Sequence, residues 1–418
     1  MYREKLKIDW WTVGLWALLI LSGWLNIYSA TYTEGVSLFD LGSYHGKQLL
    51  WIGMAAVVAI MILFTEPRVF SNTAYPLYGV VMLMLVATLF LAVTVNGGKS
   101  WIEIGGFRFQ PTEFAKFATA LALAKFMSGI DIEWKQTRTK VIAAALVGIP
   151  AALVLLQHDA GSALVFAAFL LPLFREGLSG IILVIGLVAV ALFILALVLQ
   201  EHLYILLGIL VLLAVFYLFV WLNKRTSKDW WRTLGVLAIC AVYVMSVDIL
   251  YNQLDDHQRE RIDVLLGKNV DFSGPAYNVN QSKIAIGSGG FFGKGYLNGT
   301  LTKADFVPEQ HTDFIFCTVG EEWGWLGSTF SIALFIVLLV RLISMAERQR
   351  STFARFYGYS VASILFMHLF VNIGMVLGLL PVIGIPLPFY SYGGSSLLAF
   401  TILLFIFIRQ DAVKNQLL

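Results

Sequence analysis

A succession of long, nearly uncharged apolar runs limits what this chain can fold into more than any other feature. Inside hydrocarbon every backbone N–H and C=O must be satisfied within the protein. Only helices and closed barrels therefore cross a bilayer, and unbroken apolar runs of about 20 residues select helices. The runs fall at roughly 10–28, 48–64, 75–95, 112–127, 141–156, 163–174, 181–199, 203–222, 234–250, 326–343, 356–380 and 395–408. The one after Gly161 is short for a full crossing. Composition agrees: of 418 residues, 59% are hydrophobic and 13% charged, where soluble domains carry about a quarter charged. The expected fold is all-α, a polytopic membrane protein of about 10–12 transmembrane helices in one integral-membrane domain spanning residues 1–418. The first run has no small-residue cleavage site behind it and is read as a retained anchor rather than a signal peptide.

Charge orients the bundle. Arg3, Lys5 and Lys7 precede the first run; Lys135, Arg138 and Lys140 follow the fourth; Lys224, Arg225, Lys228 and Arg232 follow the eighth. Arg348, Arg350 and Arg355 lie between the tenth and eleventh, and Arg409 and Lys414 follow the last. With an even number of spans all of these share one side, and the positive-inside rule makes that side, with both termini, cytoplasmic. The opposite loops carry chiefly Lys47, Lys99 and Arg108. The net charge of +3 is too small to point to nucleic acid. Cys240 and Cys317 supply neither a disulfide framework nor metal spacing.

One connection breaks the pattern. Residues 251–325 are polar and glycine-rich, fall on the extracytoplasmic side, and are far longer than any other loop. Long ordered loops are usually functional. Tyr277, Phe291, Phe292, Tyr296, Phe306 and Phe314 argue that this one folds, since disordered segments are poor in aromatics.

Four stretches could carry chemistry. Gln110-Pro111-Thr112-Glu113-Phe114-Ala115-Lys116 opens the fourth span. Proline and an acid suit a helix start, but Lys116 shares a helical face with Glu113, and an ionisable pair just inside a span faces protein or water. Gln157-His158-Asp159 is either a cap for the next helix or a carboxylate at membrane depth with a function. In the long loop stand Asp271, Lys283, Gly287-Ser288-Gly289-Gly290, Gly293-Lys294-Gly295, Glu309-Gln310-His311-Thr312-Asp313 and Glu321-Glu322. Glycines with lysines can bring N–H groups and ammonium charge to a phosphate. These fit neither the P-loop nor the dinucleotide fingerprint, and a set of turns is the alternative. Glu309, His311 and Asp313 lack the i, i+4 spacing of helical zinc ligands, so capping or hydrogen bonding is read there and no metal. Last, Tyr390-Ser391-Tyr392-Gly393-Gly394-Ser395-Ser396 either lines protein-enclosed space or is a tight helix connection.

Taken in order, Gln-Pro-Thr-Glu-Phe-Ala-Lys, Gln-His-Asp-Ala-Gly-Ser, Ala-Ile-Gly-Ser-Gly-Gly with Gly-Lys-Gly, Pro-Glu-Gln-His-Thr-Asp-Phe and Tyr-Gly-Gly-Ser-Ser closely resemble the SEDS family. This is the family of shape, elongation, division and sporulation proteins, the RodA, FtsW and SpoVE group. The resemblance runs from about Gly97 to the C-terminus, and residues 284–295 look more like the RodA (elongation) type than the FtsW (division) type. It implies a peptidoglycan glycosyltransferase that polymerises lipid II, working with a class B penicillin-binding protein as transpeptidase and with the elongation machinery. It maps the family's essential aspartate onto Asp271, with Asp263 a rival. The chain departs from the family at Asp271-Phe272-Ser273-Gly274-Pro275-Ala276-Tyr277, usually Asp-Pro-x-Gly-x-Gly-Tyr, and at His158, usually proline. The family's usual count is ten spans.

On that resemblance, an inverting displacement would use Asp271 as general base on the acceptor hydroxyl. Lys116, Arg108 and Lys99 would neutralise the departing pyrophosphate, with Glu113 and Asp159 holding them. Lys283, Lys294, Glu309, His311, Asp313, Ser395 and Ser396 complete the expected substrate contacts. No cofactor is obligatory; a divalent cation, Mg or Mn, could share the task. The alternatives are a lipid II flippase, which would use charges at the midplane, a division-type polymerase, and a scaffold for the transpeptidase.

Overall fold

The computed structural model describes residues 7–33, 35–95, 98–104, 107–130, 132–199, 208, 211, 228–254, 256–266, 275–304 and 306–414. Apart from the run at 203–222, of which only residues 208 and 211 are described, each expected span falls on helix, with 163–174 divided between two short helices and a 3-10 turn. The helices are α1 (Trp10–Ala30), α2 (Tyr44–Phe64), α3 (Pro67–Asn72), α4 (Ala74–Leu91), α5 (Pro111–Met127) and α6 (Thr137–Leu156). After them come α7 (Ala160–Val165) and α8 (Leu170–Arg175), joined by a 3-10 turn over Phe166–Phe169, then α9 (Gly180–Leu199) and α10 (Lys228–Asn252). The last are α11 (Asp256–Leu265), α12 (Pro275–Ser288), α13 (Ile315–Glu347), α14 (Thr352–Val376) and α15 (Gly394–Asp411). Among the described residues eight helices are long and apolar enough to cross a membrane: α1, α2, α4, α6, α9, α13, α14 and α15.

Two boundaries differ from expectation. The third run was taken to Val95, but α4 stops at Leu91 and the chain turns into a small antiparallel sheet. Its strands are β1 (Val93–Val95), β2 (Gly98–Ile104) and β3 (Phe107–Phe109), with Glu103 paired to Arg108. Apolar and polar residue types alternate along Ile102-Glu103-Ile104 and Phe107-Arg108-Phe109, which is a strand period rather than a helical one. The tenth span was expected from Leu326, yet α13 begins at Ile315 and is broken at Gly324, whose φ of 65° leaves the helical region.

The chain divides into two units, residues 1–178 with 277–418, and residues 179–276. In the first, α5, α14 and α15 are the interior. The crossing window of α15 is 83% buried and that of α14 78%, against 22% for α4. On α5 even Glu113, Lys116 and Thr119 are buried. Around these pack α2 on α15, α4 on α5, and α1 on α13. Caps set the starts: the Asp9 carboxylate accepts from Thr12 N–H at 3.2 Å, and Ser43 Oγ accepts from Gly46 N–H at 3.1 Å.

Asp9, which caps α1, and Asp411, which closes α15, meet at one end of the first unit's bundle. Arg348 bridges Asp9 (3.3 Å) and Asp411 (2.6 Å), and Arg341 bonds Asp9 at 2.5 Å. Beside them Arg409 Nε donates to the Thr65 carbonyl at 2.8 Å. The helix starts at Tyr44, Pro111, Ile315 and Gly394 are therefore at the opposite, far end.

In the second unit α9 packs on α10 through Ala196, Leu197, Val244 and Val247, with Ile262 and Leu266 laid against them. The Tyr251 hydroxyl donates to Asp263 Oδ1, and the Arg259 guanidinium lies over the Tyr251 ring at 5.4 Å.

Candidate active site at the far end of the bundle

The far end of the first unit is built around the start of α5. Proline at the first helical position leaves no N–H to satisfy, so the preceding Gln110 is free to bond elsewhere. Its backbone N–H donates to Ser395 Oγ at 3.3 Å, and its side-chain amide donates to Asp159 Oδ2 at 3.1 Å. Ser395 Oγ in turn donates to the Arg108 carbonyl at 3.4 Å. Asp159 is at once the cap of α7, accepting from Ser162 N–H at 2.9 Å. The cap and functional readings of that carboxylate are thus compatible. Arg108, Gln110, Asp159 and Ser395, from three separate stretches of sequence, form one polar cluster. Ser396 turns away and donates to the Gly393 carbonyl.

Cations stand above this cluster. Lys99 and Arg108 are exposed on the small sheet, and Arg108 is only loosely held, 3.7 Å from Glu103. The sheet is fixed by the Lys99 N–H, which donates to the Gln157 carbonyl at 2.9 Å. Gln157 is itself buried, with its amide on the Leu85 carbonyl. His158 beside it has φ +61°, a left-handed conformation closed to proline. The chain therefore departs from the family's proline in backbone shape as well as in residue.

Beneath the cluster lies a buried ionisable group. Lys116 Nζ is 2.6 Å from Glu113 Oε1 and 2.8 Å from His368 Nε2 on α14, with the Phe400 ring 5.4 Å below. The His368 Nδ1 N–H donates to the Pro386 carbonyl at 3.1 Å, which leaves Nε2 as the acceptor for lysine. Lys116 is only 2% exposed. In this conformation it braces the site from below and does not reach the surface.

The Pro308–Phe314 segment and the turn before α15 form the second wall. Tyr392 N–H donates to the His311 carbonyl at 2.9 Å, and the His311 ring lies 4.2 Å from Tyr44 and 5.7 Å from Tyr392. Burial pushes the Tyr392 hydroxyl above its usual range. Glu309 accepts from Thr312 Oγ1 at 2.9 Å. The Asp313 carbonyl takes the Asn372 amide at 2.8 Å, and the Asp313 carboxylate lies over Gly384. Lys283 is exposed on α12 against Gly378.

The glycine motifs resolve to packing. Gly293 N–H donates to the Gly289 carbonyl, Lys294 N–H to that of Glu321 and Gly295 N–H to that of Glu322, so these donors face protein. A Cβ on Gly293 would fall on the Glu322 carbonyl, and one on Gly324 would fall on the Gly293 nitrogen. Lys294 Nζ is 2.7 Å from Glu321. That carboxylate also accepts from the Thr300, Leu301 and Thr302 N–H groups at 2.9–3.0 Å. Glu322 receives the Ser29 hydroxyl. Sequence reasoning missed His368, Gln110 and the Thr300–Thr302 turn. Only the Gln-Pro dipeptide carried a local signal for any of them.

Among the described residues no group of three or more His, Cys, Asp or Glu is arranged to hold a metal ion. Asp271 lies outside the described residues. Asp263 is described, and its carboxylate is engaged by Tyr251.

Comparison with known proteins bears on the whole chain. The sequence model of the FtsW, RodA and SpoVE family, described as cell cycle proteins, matches residues 9–207 and 174–416. The chain is 35% identical over 382 residues to the peptidoglycan glycosyltransferase MrdB of Escherichia coli K12, covering 91% of this chain and 88% of that one. It is 31% identical over 372 residues to the peptidoglycan glycosyltransferase RodA of Treponema pallidum, covering 84% and 86%. Its fold matches a chain of a peptidoglycan synthase complex, solved to show how polymerization and crosslinking are coordinated. The TM-score is 0.72 at 28% identity, covering 98% of this chain and 99% of that one. It also matches the crystal structure of the rod shape determining protein RodA of Thermus thermophilus, with a TM-score of 0.63 at 26% identity over 99% of both chains.

Proposed function

This chain belongs to the FtsW, RodA and SpoVE family of cell cycle proteins, and from that premise we propose that it polymerises lipid II at the outer face of a bacterial cytoplasmic membrane, in cell elongation. It is a peptidoglycan glycosyltransferase and a multi-pass membrane protein. The observation that carries the reading is a likeness spanning nearly the whole chain to relatives of that activity, with the RodA type first among them. The clustered basic residues at the end that holds Asp9 and Asp411 support a cytoplasmic assignment for that end, which puts the Gln110–Asp159–Ser395 cluster outside.

Chain growth requires a sugar hydroxyl of one unit to attack the anomeric carbon of another, with lipid pyrophosphate leaving. An α-linked donor and a β-linked product mean one inverting displacement. The proposed base is Asp271, a role worth about 10²–10⁴ in rate. The Tyr251–Asp263 bond supports this choice over Asp263, whose carboxylate already has a donor. Lys99 and Arg108, exposed and weakly paired, are suited to the charge building on the pyrophosphate. Glu113, Lys116 and His368 hold the floor on which those groups rest. A divalent cation, Mg or Mn, would add charge neutralisation when held through the substrate's own phosphate oxygens. The acceptor of the new strand is a class B penicillin-binding protein that crosslinks it. A flippase would need a charge free to meet its cargo in the bundle interior, whereas Lys116 is engaged on both sides, which favours the polymerase.

The test is polymerisation of purified lipid II by the complex with its penicillin-binding partner. Wild type and Asp263→Ala should form glycan strands, and Asp271→Ala should form none while the complex still assembles. Polymer from Asp271→Ala would remove the base assignment. A wild-type complex that consumes no lipid II would turn the reading toward transport.

A further inference from the structure

We propose that Tyr44, Tyr392 and His311 form a sugar-stacking platform that holds the growing glycan strand next to, and distinct from, the groups that handle the pyrophosphate; this rests on the polymerase reading above. The three rings come from the start of α2, the turn before α15 and the segment before α13. They lie mutually close, with Tyr44 and Tyr392 5.2 Å apart and edge to face, and His311 4.2 Å from Tyr44.

The cluster is rigidly mounted. Tyr392 N–H is held by the His311 carbonyl at 2.9 Å and Gly393 N–H by Gln48 Oε1 at 3.3 Å, while Trp51 packs directly against Gly394. Its mount is continuous with the polar cluster, since Ser395 in the same turn bonds Gln110. A ligand leaving the reacting centre along this turn meets the aromatic rings next.

The Tyr44 ring remains 47% exposed. An exposed aromatic at a membrane protein's surface often packs against lipid, and Leu38, Phe39 and Leu41 in the preceding connection are exposed too, but polar groups stand among them. Asp40, Ser43, Lys47 and Glu309 give the neighbouring surface a polar character, and Lys47 shares a helical face with Tyr44. Pyranose rings present an apolar C–H face with a rim of hydroxyls, which is the complement of flat rings set among polar groups. Tyrosine provides such contact area at low entropic cost. Lys47, and Lys303 whose ammonium stands 5.3 Å over the Tyr32 ring, are available to the carboxylates on the strand's peptide stems.

The test compares wild type, Tyr44→Ala, Tyr44→Leu and Tyr44→Phe in the lipid II polymerisation assay, with strand length resolved on gels alongside the initial rate. Loss of the ring should shorten strands, by at least threefold more than it slows the rate, in both the Ala and Leu variants. Phe should restore wild-type length. Leu retains apolar bulk, so it decides the matter if Ala fails to fold. Wild-type length in Tyr44→Leu, equal falls in rate and length, or short strands from Tyr44→Phe would each overturn the platform. A wild-type complex that makes no polymer would instead overturn the polymerase reading, and this inference with it.

Discussion

Lys116 and His368, 252 positions apart in the chain, meet at 2.8 Å in the interior of the bundle, with Glu113 2.6 Å away on the other side of the ammonium. Neither partner of Lys116 faces solvent. Removing one side of a buried pair leaves an uncompensated charge, at about 3–5 kcal/mol. Glu113→Ala should therefore lower the melting temperature in detergent sharply. Glu113→Leu with Lys116→Met should be far milder than either single change, because an apolar pair of similar volume replaces the ions. A double variant as unstable as the singles would show that the pair contributes more than its own neutrality.

His158 holds a left-handed backbone, and its N–H donates to the Leu155 carbonyl at 2.9 Å. Proline can supply neither the dihedral nor the donor, so His158→Pro should destabilise by about 3 kcal/mol or more. His158→Gly relieves the side-chain conflict of this conformation and should lie within about 1 kcal/mol of wild type. Chemical or thermal unfolding of the three proteins in one detergent would settle the order.

Gly293 has φ +79° and faces the Glu322 carbonyl where a side chain would begin. Gly293→Ala combines backbone strain of about 1–3 kcal/mol with a clash against backbone that has no flexible end to yield. The expected result is loss of folded, monodisperse protein on size-exclusion chromatography. Gly287→Ala, where a Cβ meets nothing within 4 Å, should behave as wild type.

Asp9 predicts how the protein responds to acid. Burial raises its carboxyl, but the hydrogen bonds from Arg341 and Thr12 and the charges of Arg341 and Arg348 outweigh that and hold it below its usual range. A group lowered on folding adds stability that is fully present above its unfolded value of about 3.9 and is lost as pH falls through the folded value. Melting temperature should therefore drop on acidification below about pH 4 more steeply in wild type than in Asp9→Asn. Parallel curves would show that Asp9 adds no proton linkage of its own.

Hydropathy made the spans legible because a lipid-facing helix must be apolar across the hydrocarbon, as α2, α4 and α6 are beyond their first turns. It failed where burial is in protein. Glu321 and Glu322 looked like loop residues because they are acidic, yet both are buried, with Thr300–Thr302 turned around one and Ser29 on the other. That is why α13 starts eleven residues before the expected Leu326. The sheet at 93–109 was hidden because β1 continues the apolar run of α4 without a break in composition. In the site, motif residues announced themselves, but their partners did not. Nothing local to His368 or Ser395 points to Lys116 or Gln110, since those contacts exist only after helices distant in sequence have packed. The glycines were readable as turns, while the carbonyls their N–H groups would meet were not.

The single guanidinium of Arg348 ties the start of α1 to the end of α15. The first and last described helices are thus closed on each other, with the Trp16 indole N–H on the Thr401 hydroxyl as a second tie further along. A short polar linker joining the segment before Asp9 to the one after Asp411, with new ends opened in the α2–α3 or α5–α6 connection, should give a circular permutant that inserts and folds. The order in which spans leave the ribosome would then be a matter of assembly, not of final architecture.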